Sequence, residues 1–158
     1  MSKIVIFFTV LMFFSSPSYP LPLQFSKENF QNQIPKIYNW KVIRVVDGDT
    51  LEIANDFLPQ ELKLFIRVKG IDTPEKEARA QCKKERMLGQ KATEFTSKII
   101  AEAQKNKHAI NFSEIKWDKY GGRIIAKVTI NKVDLGQKLI DSGLARVYNG
   151  EKKKSWCN

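Results

Sequence analysis

The first half of the chain carries three apolar patterns that are typical of β-strands. Residues 40–46 and 50–54 are rich in β-branched side chains and are separated by Asp47-Gly48, which predicts a β-hairpin turning at these two residues. Apolar and basic or bulky side chains then alternate over residues 62–69, as expected of a strand with one face in the core.

Arg67 falls on the face of this third strand opposite to Leu64 and Ile66. If the strand ran regularly as far as Asp72, that aspartate would point away from Arg67, because successive side chains alternate. The two side chains can converge only if the strand bends, and Gly70 is the residue that tolerates a bulge or kink there.

A helical period replaces the strand period after residue 84. The apolar residues at helical spacing are Leu88, Ala92, Phe95 and Ile99, which predict an amphipathic helix over residues 85–103 that packs this stripe on the core. Residues 109–115 and 123–130 return to strand-like patterns, joined by a turn at residues 117–122.

A second, short helix is predicted from its caps. Asp134 is the N-cap, Gln137 completes a capping-box arrangement, and Gly143 ends the helix. Three strands, a helix, two strands and a helix predict an α+β fold, a five-stranded Greek-key barrel of the OB-fold type with two helices. Many oligonucleotide-binding proteins use this architecture.

The first 18 residues have the pattern of a signal peptide. Lys3 provides a positive start, residues 4–14 are apolar, and Ser16-Pro17-Ser18 fits a cleavage site. An uncleaved membrane anchor is the alternative, but the apolar run is shorter than the roughly 18 residues that suggest a spanning helix. We therefore expect cleavage near Ser18, a secreted or periplasmic protein, and no membrane anchor.

The remaining chain is expected to form one domain with two flanks. Residues 19–39 are rich in Pro, Gln and Asn and predict an extended lead-in, residues 40–149 form the domain, and residues 150–158 form a basic tail. The net charge of +10 concentrates polyanions at the surface. Charge alone is equally compatible with a soluble basic protein of another kind or with binding to anionic membranes.

Cys82 and Cys157 are the two cysteines of the chain. An even number of cysteines in an exported protein favours a disulfide between them. In the chain-entropy model a loop of this length contributes about 4 to 5 kcal/mol before strain is subtracted. Metal ligation is disfavoured, because the chain has one histidine, His108, and no CxxC pair.

Acids and arginines gather in a pattern that suggests metal-assisted chemistry on a phosphate. Asp49, Asp72 and Glu75 offer hard oxygen ligands, and Arg67 can grip a phosphate with two hydrogen bonds. Arg123 follows a second tight turn. A lone Asp-Gly-Asp is most often only a hairpin turn, and a single arginine is most often a solvated surface group, so the combination carries the argument.

Five blocks of sequence resemble the staphylococcal nuclease (thermonuclease) family in order and spacing, over residues 40–148. They are VVDGDTLEI (45–53), FIRVKGIDTPE (65–75), GQKATEFTSKII (89–100), DKYGGRIIAKV (118–128) and GLARVY (143–148). The resemblance implies that Asp49, Asp72 and the carbonyl of Thr73 hold a calcium ion. It also implies that Glu75 activates water, that Arg67 and Arg123 bind the scissile phosphate, and that Lys119 and Tyr120 contact a terminal phosphate.

Two departures from the family pattern stand out. The turn after Tyr120 has one glycine more than usual, at Gly121 or Gly122, and the tail is expected to lack the further C-terminal helix of the best-known member. The resemblance implies an exported, monomeric, calcium-dependent nuclease of DNA, with RNA as a further substrate. The alternatives are a catalytically inactive OB-fold protein that only binds nucleic acid, and a basic module that adheres to anionic membranes.

Overall fold

The computed structural model describes residues 35–54, 59, 61–119 and 121–157. The signal peptide, most of the lead-in and Tyr120 lie outside these residues. In chain order the described elements are β1 (Val42–Asp47), β2 (Thr50–Ile53), β3 (Leu64–Val68), β4 (Ile71–Asp72), α1 (Lys83–Lys105), β5 (Ile110–Trp117), β6 (Arg123–Ile130), β7 (Val133–Asp134), α2 (Leu135–Asp141) and β8 (Arg146–Val147).

The main sheet has the strand order β1-β2-β3-β6-β5, and β7 pairs with β6 at its end. Neighbouring strands are antiparallel except for β3 and β6, which are parallel. Tyr38, just ahead of β1, exchanges two backbone hydrogen bonds of 2.8 Å with Phe112 in β5, so the sheet curls until its two edges meet. With the two helices this confirms the predicted OB-like α+β barrel.

The core fills the concave side of this sheet and continues under α2. Its most deeply buried side chains are large and apolar: Leu51, Ile66, Phe112, Val128, Leu135 and Leu139. The alternation predicted for the third strand is confirmed from Leu64 onwards, since Ile66 and Val68 point inward. Leu62, which was expected on the same face, lies before β3 and is 56% exposed.

Helix α1 is slightly longer than predicted, and its buried stripe is turned by one residue. Only Ala92 of the predicted stripe is fully buried, and the buried line runs through Gly89, Ala92, Thr96, Ile100 and Ala103. The reason is close packing against two loops. A Cβ on Gly89 would lie 2.4 Å from the carbonyl oxygen of Glu75, and Thr96 Oγ1 donates a 2.8 Å hydrogen bond to the carbonyl of Gly48.

The strands and the helix of the C-terminal half agree with the predicted ones, apart from the end of β5 and one side-chain contact of α2. Strand β6 has the predicted bounds, and β5 extends two residues further than expected. The side chain of Asp134 caps α2 by accepting from the N–H of Gln137 at 3.0 Å, but the Gln137 side chain donates to Asp141 instead of completing a capping box.

Within the described part of the chain, no helix is long and apolar enough to cross a membrane.

Candidate active site

The first part of the site is the turn between β1 and β2. Asp47 pairs with Thr50, so the two loop residues are Gly48 and Asp49, one position later than predicted. Asp49 therefore lies in the turn itself and not just after it. Its carboxylate accepts hydrogen bonds from Thr50 Oγ1 at 3.0 Å and from the N–H of Thr73 at 3.4 Å. The turn is thereby joined to the loop after β4.

Arg67 brings two acids together. Its Nη2 lies 2.9 Å from Asp49 Oδ2 and 3.6 Å from Asp72 Oδ1, and all three side chains are largely buried. Asp72 can reach Arg67 because the chain turns at Lys69 and Gly70, where Gly70 has φ of +80°. The predicted bend at Gly70 is confirmed, and it reverses the alternation that would have separated the two side chains.

Asp49 is in an environment that disfavours its negative charge. Burial raises the pKa of Asp49, Arg67 opposes this shift, and the neighbouring Asp47 adds to it, so that the resulting pKa is about 6. A carboxyl group of raised pKa beside a second acid is stabilised as an anion by an added cation.

We call Asp47, Asp49 and Asp72 the acid cluster. Its carboxylate oxygens are ligands of the chemical kind that a hard divalent ion prefers. Asp47 binds Arg79 through Oδ2 at 2.9 Å, but its buried Oδ1 has no hydrogen-bond partner among the described residues. The buried Oδ1 of Asp72 likewise has ion pairs but no hydrogen bond of good geometry. Buried carboxylate oxygens that lack hydrogen bonds are ligands suited to calcium or magnesium and poorly suited to zinc.

Glu75 lies at the edge of the acid cluster, on the loop that follows Pro74. Its two oxygens lie 3.3 Å from Arg79 Nε and 3.4 Å from Lys153 Nζ, and its side chain is 30% exposed. Its backbone is positioned by Glu85, a buried carboxylate near the start of α1. Glu85 accepts from the N–H groups of Glu75 at 3.4 Å and Gln81 at 2.7 Å. Glu85 was not predicted from the sequence. Its position in the first turn of a helix is a signal for an acid that accepts from backbone N–H groups, but not for contact with Glu75.

Arg123 lies in the same cleft, at the start of β6, the strand that pairs with β3 of Arg67. Its Nη2 is 2.8 Å from Oδ2 of Asp118, and its side chain is 31% exposed. The turn between them contains Gly121 and Gly122, which both have positive φ, of 71° and 68°. The cleft has a volume of about 1000 Å³, and its lining includes Arg67, Glu75, Lys119, Arg123 and the exposed Trp117. The structure thus places both predicted arginines in one cleft.

The C-terminal residues, expected to be a basic tail, form part of the site. Lys153 Nζ lies 2.7 Å from Asp72 Oδ1, and Trp156 Nε1 donates to Asp72 Oδ2 at 3.3 Å. Burial lowers the pKa of Lys153, but its close contact with Asp72 and the negative charges of Asp72 and Glu75 raise that pKa above its ordinary value overall. Nothing in the local sequence pattern indicates this placement.

A disulfide joins Cys82 to Cys157, with a Cα–Cα distance of 5.9 Å. Cys82 is also the N-cap of α1, where its sulfur accepts from the N–H of Glu85 at 3.4 Å. The two sulfurs and a Glu85 oxygen are close enough to share a metal ion. Both sulfurs are used in the disulfide, however, so this cluster is a structural crosslink and the acid cluster is the better candidate metal site.

Comparisons with known proteins agree with this geometry. The sequence model of the family described as "Staphylococcal nuclease homologue" matches residues 65–156. A protein named "Thermonuclease" from Staphylococcus hyicus is 33% identical to the chain over 107 residues, which is 68% of this chain and 57% of that relative. The chain therefore spans little more than half the length of this curated relative.

Proposed function

The chain belongs to the staphylococcal nuclease homologue family, and we infer that it is a calcium-dependent nuclease that hydrolyses phosphodiester bonds of DNA and RNA. The observation that carries this inference is that Arg67 Nη2 lies within 3.6 Å of a carboxylate oxygen of both Asp49 and Asp72, with Glu75 on the adjoining loop. These residues come from three separate segments of the chain. A surface that only needs to attract a polyanion has no use for a buried cluster of acids.

The metal ligands would be Asp49, Asp72 and the backbone carbonyl of Thr73, with Asp47 close enough to add to the negative field. When bound, calcium would polarise the scissile phosphate and stabilise the negative charge that develops on it. The buried carboxylates supply oxygen ligands. Asp47 Oδ1 has no hydrogen-bond partner among the described residues, whereas Asp72 Oδ1 is in contact with the ammonium group of Lys153.

The remaining site residues would act on water and on the phosphate. Glu75 would accept a proton from the attacking water, a role for which its partial exposure at the mouth of the acid cluster is suited. Arg67 and Arg123 would hold the phosphate from the paired strands β3 and β6, with preorganised charge where the transition state becomes more negative. Lys119, which lines the same cleft, and Tyr120, outside the described residues, would contact a terminal phosphate.

Trp117 adds a contact that the sequence analysis did not predict. It ends β5 beside the cleft and is 72% exposed. An exposed indole beside basic groups is a surface on which an unpaired base can stack. This favours single-stranded substrates or locally opened duplexes.

We also propose that the protein is exported and acts as a monomer. Support for export comes from the signal-peptide pattern of residues 1–18 and from the paired cysteines. Intact-mass measurement of protein recovered outside the cytoplasm is expected to show loss of about 18 residues by the cleavage pattern of such peptides and two fewer hydrogens than the dithiol. A mass that corresponds to two free thiols would contradict this part of the proposal.

The experiment that tests the function is digestion of single- and double-stranded DNA and RNA by the purified protein, with calcium and with excess chelator. Cleavage with calcium and none with chelator is expected. Binding of all four substrates without cleavage would instead favour the alternative of an inactive OB-fold nucleic-acid-binding protein. Adhesion to anionic vesicles without either would favour the membrane-binding alternative.

A further inference from the structure

A cation of the protein itself already lies in the acid cluster. Lys153 Nζ bridges Asp72 Oδ1 at 2.7 Å and Glu75 Oε1 at 3.4 Å. These two carboxylates are the ones that the proposed function assigns to the metal and to the water. The Lys153 side chain is 43% exposed, so it enters the cluster from the mouth of the cleft.

The position of Lys153 is built into the fold. We call residues 151–157 the C-terminal strap. The strap is fixed at its end by the Cys82–Cys157 disulfide. Next to the disulfide, Trp156 is 7% exposed, donates to Asp72, and lies under the guanidinium of Arg146 at 3.6 Å from the ring centre. Arg146 also donates to the backbone carbonyl of Ser155 at 2.8 Å. Four contacts thus hold the strap within reach of Asp72.

An ammonium ion and a divalent ion cannot both lie against the same carboxylate oxygen without strong repulsion. Two like charges a few ångströms apart repel each other, and the repulsion grows as water is removed from around them. Since Lys153 Nζ is at hydrogen-bond distance from Asp72 Oδ1, a metal ion that uses this oxygen has to displace the ammonium group or bind beside it.

We propose that Lys153 is a built-in counter-cation of the metal site, which competes with calcium for Asp72 and so sets the calcium concentration at which the site fills. The strap, through the Cys82–Cys157 disulfide, keeps the ammonium group at high local concentration. Without metal, Lys153 adds a second positive charge beside Asp72, which Arg67 contacts at the longer distance of 3.6 Å. This proposal rests on the proposed function, because it assumes that Asp72 is a metal ligand.

The test is calcium affinity, measured by titration calorimetry on the full chain without nucleic acid. Lys153→Met is expected to bind calcium about tenfold more tightly than the wild type, because one positive charge a few ångströms from the ion is removed. Lys154→Met is the matched control, since it removes the same charge from the neighbouring position of the strap. Its affinity is expected to stay within about twofold, since exposed charges are screened by solvent and salt.

Two further variants separate charge from packing and test the disulfide. Lys153→Arg keeps the charge and is expected to bind calcium like the wild type. Cys82→Ser combined with Cys157→Ser is expected to tighten binding, and this gain should vanish when Lys153→Met is also present, as a coupled pair requires. Far-ultraviolet circular dichroism of each variant establishes that it is folded.

Three results would overturn the proposal. One is an unchanged or weaker calcium affinity in Lys153→Met, and another is a Lys153→Arg variant that behaves like Lys153→Met. The third is an equal gain from the serine pair in both Lys153 backgrounds, which would show that the disulfide does not act through Lys153. The proposed function fails by a different result, namely no calcium binding and no cleavage by the wild type.

Discussion

Two regions of the cleft each present an arginine bound to an acid, but they are built differently. We call the surroundings of Arg67 on β3 the first wall and those of Arg123 on the neighbouring β6 the second wall. Arg67 contacts Asp49 and Asp72, which lie on separate turns, and its side chain is 14% exposed. Arg123 contacts Asp118 within its own hairpin and is 31% exposed. The first wall is fixed by contacts between distant segments, whereas the second depends on a local turn with two glycines. We therefore expect perturbations of the first wall to have the larger effects.

The metal ligands of the first wall should give the largest effect. Asp49→Asn and Asp72→Asn are each expected to weaken calcium binding and to lower cleavage by about 10³-fold, the upper end of the range for loss of one preorganised charge-stabilising group. Calorimetry with calcium and a cleavage assay measure the two quantities. Glu102→Gln, on the exposed side of α1, is the matched control. Full activity of the aspartate variants, or of the wild type in excess chelator, would contradict the calcium mechanism.

Glu75 belongs to the first wall but is not proposed as a metal ligand. Glu75→Gln is expected to lower kcat by roughly 10²-fold, as is typical for loss of a general base, with little change in calcium or nucleic-acid affinity. Single-turnover kinetics and binding to uncleavable oligonucleotides separate the two effects. An unchanged rate would remove Glu75 from the mechanism.

Matched substitutions of Arg67 and Arg123 compare the two walls directly. Arg67→Lys and Arg123→Lys keep the charge but lose the planar fork, so both should lower kcat/KM, by about 10²-fold at the scale of one phosphate clamp. Arg67→Met should in addition lower the stability of the calcium-free protein by about 3 kcal/mol, since it leaves Asp49 buried without its ion-pair partner and Asp72 with Lys153 alone. Arg123→Met should cost no more than about 1 kcal/mol, because its ion pair is partly exposed to solvent.

Chemical denaturation with and without calcium measures these stabilities. Calcium is expected to recover part of the loss in Arg67→Met, because a bound cation replaces the missing charge. Equal destabilisation by the two methionine variants would show that the walls do not differ as the contacts suggest. If Arg123→Lys is as active as the wild type, the second phosphate ligand has to be sought elsewhere on the cleft, with Lys119 as the first candidate.

The smallest effect is expected from the turn of the second wall. Deletion of Gly122 would restore the shorter turn implied by the family resemblance, and both glycines already adopt conformations that tolerate rearrangement. We expect less than a tenfold change in kcat/KM at this flexible position. A loss larger than that of Arg123→Lys would mean that the two-glycine turn itself places Arg123 in the cleft.

The elements of the fold could be predicted from neighbouring residues. Alternation after Leu64 predicted β3, the apolar run from Arg123 predicted β6 with its observed bounds, and Asp134 predicted the start of α2. Parity along one strand even showed that Arg67 and Asp72 needed a bend at Gly70, which the structure contains. These features depend on spacings of two to four residues, and such spacings are visible in a single chain.

Predictions of buried residues were wrong where burial depends on segments that are distant in the sequence. The buried stripe of α1 runs through Gly89 and Thr96 because the helix packs on the loops of Glu75 and Gly48. Leu62 was assigned to the core from its position in an alternating pattern, but it lies beyond the end of β3. Periodicity in the sequence gives the spacing of the buried residues. Which residues of a helix are buried, and where a strand begins and ends, depend on the segments that pack against it.

The sequence alone was sufficient for the class of fold, the family and the pairing of the cysteines, and it singled out the acids and arginines that the structure places around the cleft. It gave no indication that Lys153 and Trp156 contact Asp72, or that Glu85 holds the loop of Glu75. Those contacts join residues 10 to 84 positions apart. They exist only after β3 and β6 pair, α1 docks and the disulfide fixes the strap. Burial strengthens the electrostatic interactions of Asp72 and Glu85, because little water remains around these carboxylates to screen them.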